Sequence, residues 1–374
     1  MCTLARFIFK IAALGILLIG LPLLGVWAAG YPLDRYFEFP PRSRYVIPAP
    51  FSGWIFTAYA FFIGVIVLPL VIQAIRGARL KRRSPVGTRP FPWWGWLGAA
   101  VGTAAWFMAW TRQDWFAPWQ AHTFTPLWGA YILVINAVAH HRRGRCMMLD
   151  RPLYFAALFP TSAVFWWFFE YLNRYVQNWY YPGVYFGSWE YFVYATLCFS
   201  TVLPAVLGTR DVIENTVWLQ NGFRRFIPIR LPRPQLTAWT VLLLACAGLT
   251  GIGVWPNGLY PLLWLSPLLI ISAFQVLMHD DLIFSGLAQG DWRPIISSAA
   301  AALICGVFWE TWNYYSLAKW KYSIPFVQRY PLFEMPVLGY AGYLPFGLEC
   351  ALIGSILAKH IPGGLRPGKP RYTD

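Results

Sequence analysis

Charge is the scarcest feature of this 374-residue chain. Only 12% of its residues are charged, about half the share of a typical soluble protein. Histidine is also rare, with five residues, and the six cysteines are scattered without the spacing of a zinc site or a disulfide framework. No glycine-rich phosphate loop, haem-attachment Cys-x-x-Cys-His or recognisable Ser–His–Asp arrangement is present. These absences argue against a soluble domain and against the common nucleotide, haem and zinc enzymes.

Apolar residues make up 58% of the chain, and they recur in stretches long enough to span a bilayer. The pattern predicts an all-α, polytopic integral membrane bundle of about ten transmembrane helices. The first stretch is read as a retained span, because its apolar run is too long for a signal peptide. The predicted spans are residues 7–29, 52–75, 93–111, 126–139, 153–175, 189–208, 236–254, 261–278, 294–315 and 334–358.

The net charge of +15 predicts a topology rather than a nucleic-acid partner. In a ten-span arrangement most Lys and Arg residues fall on one side, in the segments that hold both termini. The positive-inside rule then places the N- and C-termini in the cytoplasm of a cell whose inner (plasma) membrane holds the chain. The basic run Arg79-Leu-Lys81-Arg82-Arg83 also suits anionic lipid headgroups, but a purely topological role is the favoured interpretation.

One pattern occurs twice. Glu170-x-x-Asn173 is followed by Trp179-x-Tyr181, and Glu310-x-x-Asn313 is followed by Trp320-x-Tyr322. Further landmarks recur at an offset of about 140 residues, so we expect two parallel four-helix repeats. The predicted chain then consists of a two-helix extension with a basic cytoplasmic loop (1–92), repeat 1 (93–208), a cytoplasmic linker (209–235), repeat 2 (236–360) and a cytoplasmic tail (361–374).

The repeated carboxylates predict a site at the outer face. Residues three apart share a helix face, so each Glu–Asn pair projects together. Glu190 and Glu334 begin the following spans, and Glu349 lies deeper in the last span without a counterpart in repeat 1. We expect these side chains to gather in an aromatic chamber, with Glu170 and Glu310 as acid–base groups and Asn173 and Asn313 orienting them. Trp167, Trp309, Trp312 and Tyr315 are candidate substrate-binding residues.

Three functions suit such a chamber. The first is acid–base modification of a lipid or isoprenoid chain, whose cationic intermediates aromatic faces stabilise. The second is a proton- or cation-coupled transporter or channel, and the third is a structural subunit in which the polar pairs lock helices together. The sequence identifies no cofactor. His279, Asp280 and Asp281 could in principle bind a metal, but solvated helix ends are the default interpretation, and no metal site is predicted.

The string Trp309-Glu310-x-x-Asn313, Phe333-Glu334-Met-Pro336 and Pro345-Phe-x-x-Glu349 resembles uncharacterised multi-pass bacterial membrane proteins, which implies no activity. The duplicated helices with glutamates at the outer face also resemble membrane lycopene cyclases and related carotenoid-modifying enzymes. That resemblance implies acid–base chemistry on a polyene. The Pro-x-Glu-Glu signature of the cyclases is absent, so no catalytic residue is carried over.

Overall fold

The computed structural model describes residues 3–80 and 89–361, and this part of the chain is almost entirely helical. The basic residues Lys81 to Arg83 and the predicted tail from residue 362 onward lie outside the described residues. The helices are α1 (Thr3–Ala28), α2 (Gly53–Arg79), α3 (Trp93–Trp110), α4 (Phe124–Arg143), α5 (Met147–Asp150), α6 (Pro152–Val176), α7 (Ser188–Phe199), α8 (Val202–Ile213), α9 (Val217–Phe223), α10 (Pro234–Gly251), α11 (Pro256–Leu259), α12 (Leu262–Leu277), α13 (Arg293–Tyr314) and α14 (Tyr343–His360).

Six of the helical segments are long and apolar enough to cross a membrane. They are α2, α6, the α7–α8 segment, α10, α13 and the segment Val337–His360, which ends in α14. Apolar stretches of α1 and α12 are shorter. The all-helical fold is therefore confirmed, the length and composition of these helices suit a multi-pass membrane protein, and the ten spans and two repeats stay predictions.

Local sequence sets several helix boundaries. Pro152, Pro234 and Pro294 occupy the first turns of α6, α10 and α13, where the missing N–H of proline costs no hydrogen bond. α4 ends at Gly144, whose φ of 69° suits a residue without Cβ. Gln177 ends α6 with a φ of 52°, which turns the chain back toward the helix it has just left.

The helices pack in close pairs around one apolar core. α3 lies against α4, α10 against α12, and α13 against both α8 and α14. The contact of α13 with α14 depends on Gly347, because a Cβ there would meet the backbone carbonyl of Ser298. In the segment 209–235, α9 buries Leu219 and Phe223 and packs along the end of α2.

Two short antiparallel β-pairs lie outside the helices. β1 (Trp179–Tyr180) pairs with β2 (Lys321–Tyr322), and β3 (Pro331–Leu332) pairs with β4 (Met335–Pro336). In the first pair Trp179 faces Tyr322 and Tyr180 faces Lys321. This pair joins the chain that follows α6 to the chain that follows α13, so both helices end at the same end of the bundle.

A segment without helix crosses that end. This strap (residues 37–52) connects α1 with α2, and hydrogen bonds hold it to both halves of the molecule. Its Arg44 N–H donates to Gln177 Oε1 at 2.7 Å, and the Ser52 N–H donates to the Phe326 carbonyl at 3.0 Å. We call this the strap end of the bundle.

Ion pairs mark the opposite end. Lys10 pairs with Asp280, and Arg143 pairs with Asp211 at 2.6 Å. Lys359 lies 3.2 Å from Asp281. The His279-Asp280-Asp281 segment therefore has cationic partners, and among residues 3–80 and 89–361 no three His, Cys, Asp or Glu side chains are grouped as metal ligands.

Candidate functional site

Each repeated asparagine clamps the backbone of the tryptophan that follows it. Asn173 Nδ2 donates to the Trp179 carbonyl at 2.8 Å, and Asn313 Nδ2 donates to the Trp320 carbonyl at 2.8 Å. On the acceptor side, Asn313 Oδ1 receives the Trp320 N–H at 2.9 Å, while Asn173 Oδ1 receives the N–H of Asn178 at 2.8 Å. Both asparagines are almost fully buried. Their amides hold the turn after each helix, and this role explains the Asn–Trp spacing.

The tyrosine two residues after each tryptophan returns to the glutamate. Tyr181 Oη donates to Glu170 Oε1 at 2.5 Å, and Tyr322 Oη donates to Glu310 Oε1 at 2.6 Å. Burial raises the pKa of Tyr181 and of Tyr322 well above the ordinary value, and the neighbouring carboxylate raises each further. Both hydroxyls therefore remain protonated donors near neutral pH. In each copy of the pattern, the chain leaves the helix, turns, and comes back so that the tyrosine hydroxyl hydrogen-bonds the glutamate on that helix. We call each of these segments a loop.

The two buried glutamates differ in how fully they are hydrogen-bonded. Glu170 Oε1 also accepts from the indoles of Trp166 at 3.1 Å and Trp179 at 2.9 Å, and Ser43 of the strap donates to Oε2 at 3.3 Å. Glu310 Oε1 accepts from Tyr322 and from Tyr343 Oη at 2.9 Å. Its Oε2 is buried and makes no hydrogen bond within the described chain. Glu170 is thus saturated with donors, and Glu310 retains a free acceptor oxygen.

A cavity of about 440 Å³ lies between the two loops at the strap end. This volume falls within the range of roughly 300–1,000 Å³ typical of small-molecule sites. Its walls are mainly aromatic, with Trp166, Trp179, Trp264, Trp309 and Trp320 among them. The hydroxyl-bearing rings of Tyr181, Tyr322 and Tyr343 also line it, so the donors to both glutamates form part of the wall. The strap contributes Arg42, Ser43 and Arg44.

None of the five predicted carboxylates is among the described residues that line this cavity; Glu170 and Glu310 are buried behind the tyrosines of its wall, and the other three have different surroundings. Glu190 is exposed and accepts from the Gly187 N–H at 3.4 Å, so it caps the start of α7. Glu334 pairs with Lys319 at 2.5 Å, and only the lysine lines the cavity. Glu349 is 2% exposed within α14, where its carboxylate faces the backbone of Leu268 on α12. Neither of its oxygens makes a well-formed hydrogen bond in the described part of the chain.

Of the four predicted substrate-binding aromatics, the structure brings Trp309 alone into the cavity wall. Trp167 packs against Phe192 and donates to Thr196 at 2.9 Å. Trp312 is buried against Trp128, and Tyr315 is half exposed beside Trp110. Helical periodicity does not explain the split, because positions 309 and 312 are only about 60° apart on an ideal helix and both rings contact Trp128.

Sequence reasoning did not identify the strap or Tyr343 as parts of the site. Tyr343 comes from the first turn of α14, and its ring fits against Gly306 of α13, where a Cβ would lie 2.5 Å from the ring. Ser43 reaches both Glu170 and Asn173 from a segment between two predicted spans, donating to the first and accepting from the second at 2.6 Å. A clue existed in the charged Arg42-Ser43-Arg44 group set within an otherwise apolar and proline-rich connection.

No protein-family model, curated protein or solved structure matches this chain.

Proposed function

We propose that this integral membrane protein binds an apolar chain, such as a lipid or isoprenoid, in the aromatic cavity and modifies it by acid–base chemistry at Glu310. One observation carries the proposal: Glu310 has an unpartnered buried oxygen while both of its tyrosine donors line the cavity wall. A structural carboxylate is normally saturated with hydrogen bonds, as Glu170 is.

The proton would move through Tyr343. In its protonated form Glu310 gives a proton to the Tyr343 hydroxyl oxygen while that hydroxyl's own proton adds to a carbon–carbon double bond of the substrate. The resulting carbocation lies against the faces of Trp309 and Trp179, which stabilise positive charge. The Glu310 carboxylate then accepts a proton from an adjacent carbon by the same relay, and the double bond has moved with no net change of atoms.

In this proposal the other members of the repeated pattern hold the cavity in shape. Asn173 and Asn313 fix the two turns, and Glu170 anchors Trp166, Trp179 and Tyr181 in the opposite wall. The proposed duplication of two four-helix units is supported by these matched contacts. It is also supported by the β1–β2 register, since the two Trp-x-Tyr segments pair with Tyr180 opposite Lys321, their middle residues.

A proton- or cation-coupled transporter is the second candidate, and Glu349 favours it. Glu349 on α14 and Gln275 on α12 are both buried, and neither side chain makes a hydrogen bond within residues 3–80 and 89–361. α12 packs against α14, and Glu349 faces Leu268 of α12, two helical turns before Gln275 on the same helix. Unpartnered polar groups within apolar helices are typical of ion or proton pathways.

The decisive experiment compares lipid and pigment extracts by mass spectrometry from a deletion strain complemented with wild type, Glu310→Gln, Tyr343→Phe or Glu190→Gln. We expect loss of a product with Glu310→Gln, strong reduction with Tyr343→Phe, and the wild-type profile with the exposed Glu190→Gln control. An unchanged profile in the full deletion strain contradicts the enzyme. Pumping of protons or cations into liposomes that Glu349→Gln abolishes would instead support the transporter.

A further inference from the structure

Three cationic side chains line the cavity, and one of them lacks a carboxylate partner. Arg44 pairs with both oxygens of Glu38 at 2.9 and 3.0 Å, and Lys319 pairs with Glu334 at 2.5 Å. Arg42 makes no ion pair in the described chain. Its charge therefore has no paired carboxylate at the edge of a mainly aromatic cavity.

The guanidinium of Arg42 is held in place by a backbone carbonyl and an aromatic ring, and neither of these groups carries a negative charge. Nη2 donates to the Phe186 carbonyl at 2.9 Å, and the group lies over the Tyr191 ring, 5.2 Å from its centroid. Nε is buried and donates to no acceptor among residues 3–80 and 89–361. A buried N–H without an acceptor is costly, so this geometry is preorganised for an acceptor that arrives with a ligand.

We propose that the cavity takes an anionic amphiphile, whose phosphate or carboxylate head binds Arg42 while its apolar chain lies among Trp166, Trp179 and Trp309. The inference rests on the proposed function, because it names the substrate class of the same cavity. The planar fork of arginine matches both head groups, and the strap holds it at one side of the aromatic wall. With its head bound at Arg42, the apolar chain of the ligand would extend to the tyrosines that donate to Glu310.

Binding of matched twelve-carbon probes tests the head-group preference. The full-length protein in a neutral maltoside detergent is titrated with dodecyl phosphate, dodecanoate and dodecanol by calorimetry. We expect the two anions to bind about tenfold or more tightly than dodecanol, as for a charge-assisted hydrogen bond in a partly buried site. Tighter binding of dodecyl phosphate indicates a phosphate head, and tighter binding of dodecanoate indicates a fatty acid. If dodecanol binds as tightly as the two anions, the inference is overturned. This comparison uses the wild-type protein and needs no variant.

Variants then assign the preference to Arg42. Arg42→Gln should reduce binding of the anions to the level of dodecanol, and Arg42→Lys should retain part of the preference. Arg329→Gln is the control, since it removes an exposed cation beside Phe51 of the strap that is not among the residues lining the cavity, and it should change affinity less than about twofold. Retention of the full anion preference by a folded Arg42→Gln protein contradicts the inference. Glu310→Gln should keep the preference while losing any product, so failure of the chemistry and failure of the head-group site are distinguishable.

Discussion

The two glutamates of the repeated pattern have the same sequence context and different surroundings. Each accepts the hydroxyl of the tyrosine that follows it. Glu170 gains three further donors, one of them from the strap, whereas within the described chain Glu310 gains Tyr343, with the Trp320 indole close by, and keeps Oε2 unpartnered. The number of donors at a buried carboxylate separates a structural anchor from a group that can react.

This difference predicts unequal effects of matched amide substitutions on stability. In Glu170→Gln an amide –NH₂ replaces an oxygen that faces hydroxyl or indole donors, so we expect a loss of about 2–4 kcal/mol in the free energy of unfolding. Glu310→Gln should lower the free energy of unfolding by about half as much, because its amide –NH₂ can take the place of Oε2, which has no hydrogen-bond donor to lose. Thermal unfolding in detergent measures both, with exposed Glu190→Gln as the control. Equal losses would show that the free oxygen of Glu310 has a partner in solution.

The asparagine clamps predict a second effect at this scale. Asn313→Ala leaves the N–H and carbonyl of Trp320 without partners, which should cost about 1–3 kcal/mol of stability. Asn173→Ala should cost more, since its amide also contacts Ser43 of the strap. Asn215→Ala, in an exposed turn, is the matched control for both. Denaturant titration followed by tryptophan fluorescence gives the order, and loss of activity without loss of stability would assign Asn313 a direct chemical role.

At the scale of elements, close helix contacts place the reactive groups. α13 carries Glu310 and α14 carries Tyr343, and the two helices approach closely at Gly306 and Gly347. The strap similarly brings Arg42 and Ser43 to a cavity formed by helices far from it in sequence. Helix geometry alone would not bring these groups together, because each contact depends on a small residue or an extended connection.

Gly306→Ala is expected to displace the Tyr343 ring and break its hydrogen bond to Glu310. A Cβ at position 306 would lie 2.5 Å from the ring, and the ring must move because the backbone of α13 is fixed by its other contacts. We expect product formation to fall by about a hundredfold, the low end for loss of one positioned proton-transfer group. Gly129→Ala is a helical control with open space at its Cβ. The product assay of the complemented strain reports the result, and full activity of Gly306→Ala would remove Tyr343 from the relay.

At the scale of the whole molecule, the ionisable groups described above lie mainly at the two ends of the bundle. The end that holds α5 and the start of α13 carries ion pairs such as Arg143–Asp211 and Arg293–Asp291. The strap end carries the cavity with its aromatic walls, the buried carboxylates Glu170 and Glu310, and the ion pairs Arg44–Glu38 and Lys319–Glu334. The topology in which the basic end faces the cytoplasm stays a prediction.

Labelling of single cysteines tests that orientation. In a variant whose native cysteines are replaced by alanine, Tyr185→Cys should react with a membrane-impermeant maleimide in intact cells, because Tyr185 is 97% exposed at the strap end. Asn215→Cys, which is exposed near the opposite end, should react only after permeabilisation. The reverse labelling pattern would invert the topology and place the cavity at the cytoplasmic face.

The sequence by itself determined that the chain forms apolar helices, and it determined which side chains contact one another within each loop. Apolar stretches require helices in a membrane because every backbone polar group must be satisfied internally. The spacing of Glu, Asn, Trp and Tyr fixes local contacts, because all four lie within one helix end and its turn. The expectation that Glu190 and Glu334 share the chamber came from the same pattern, yet one caps a helix and the other pairs with Lys319.

Only the tertiary structure decided which glutamate has a free oxygen and what lines the cavity. Ser43, Arg42 and Tyr343 reach the site from segments 33 to 149 residues away from the groups they contact, as the pairs Tyr343–Glu310 and Arg42–Tyr191 illustrate. No local periodicity encodes such distances, because they depend on how closely helices and the strap can approach. The duplicated pattern thus specified two equivalent loops, and packing around them made the loops unequal.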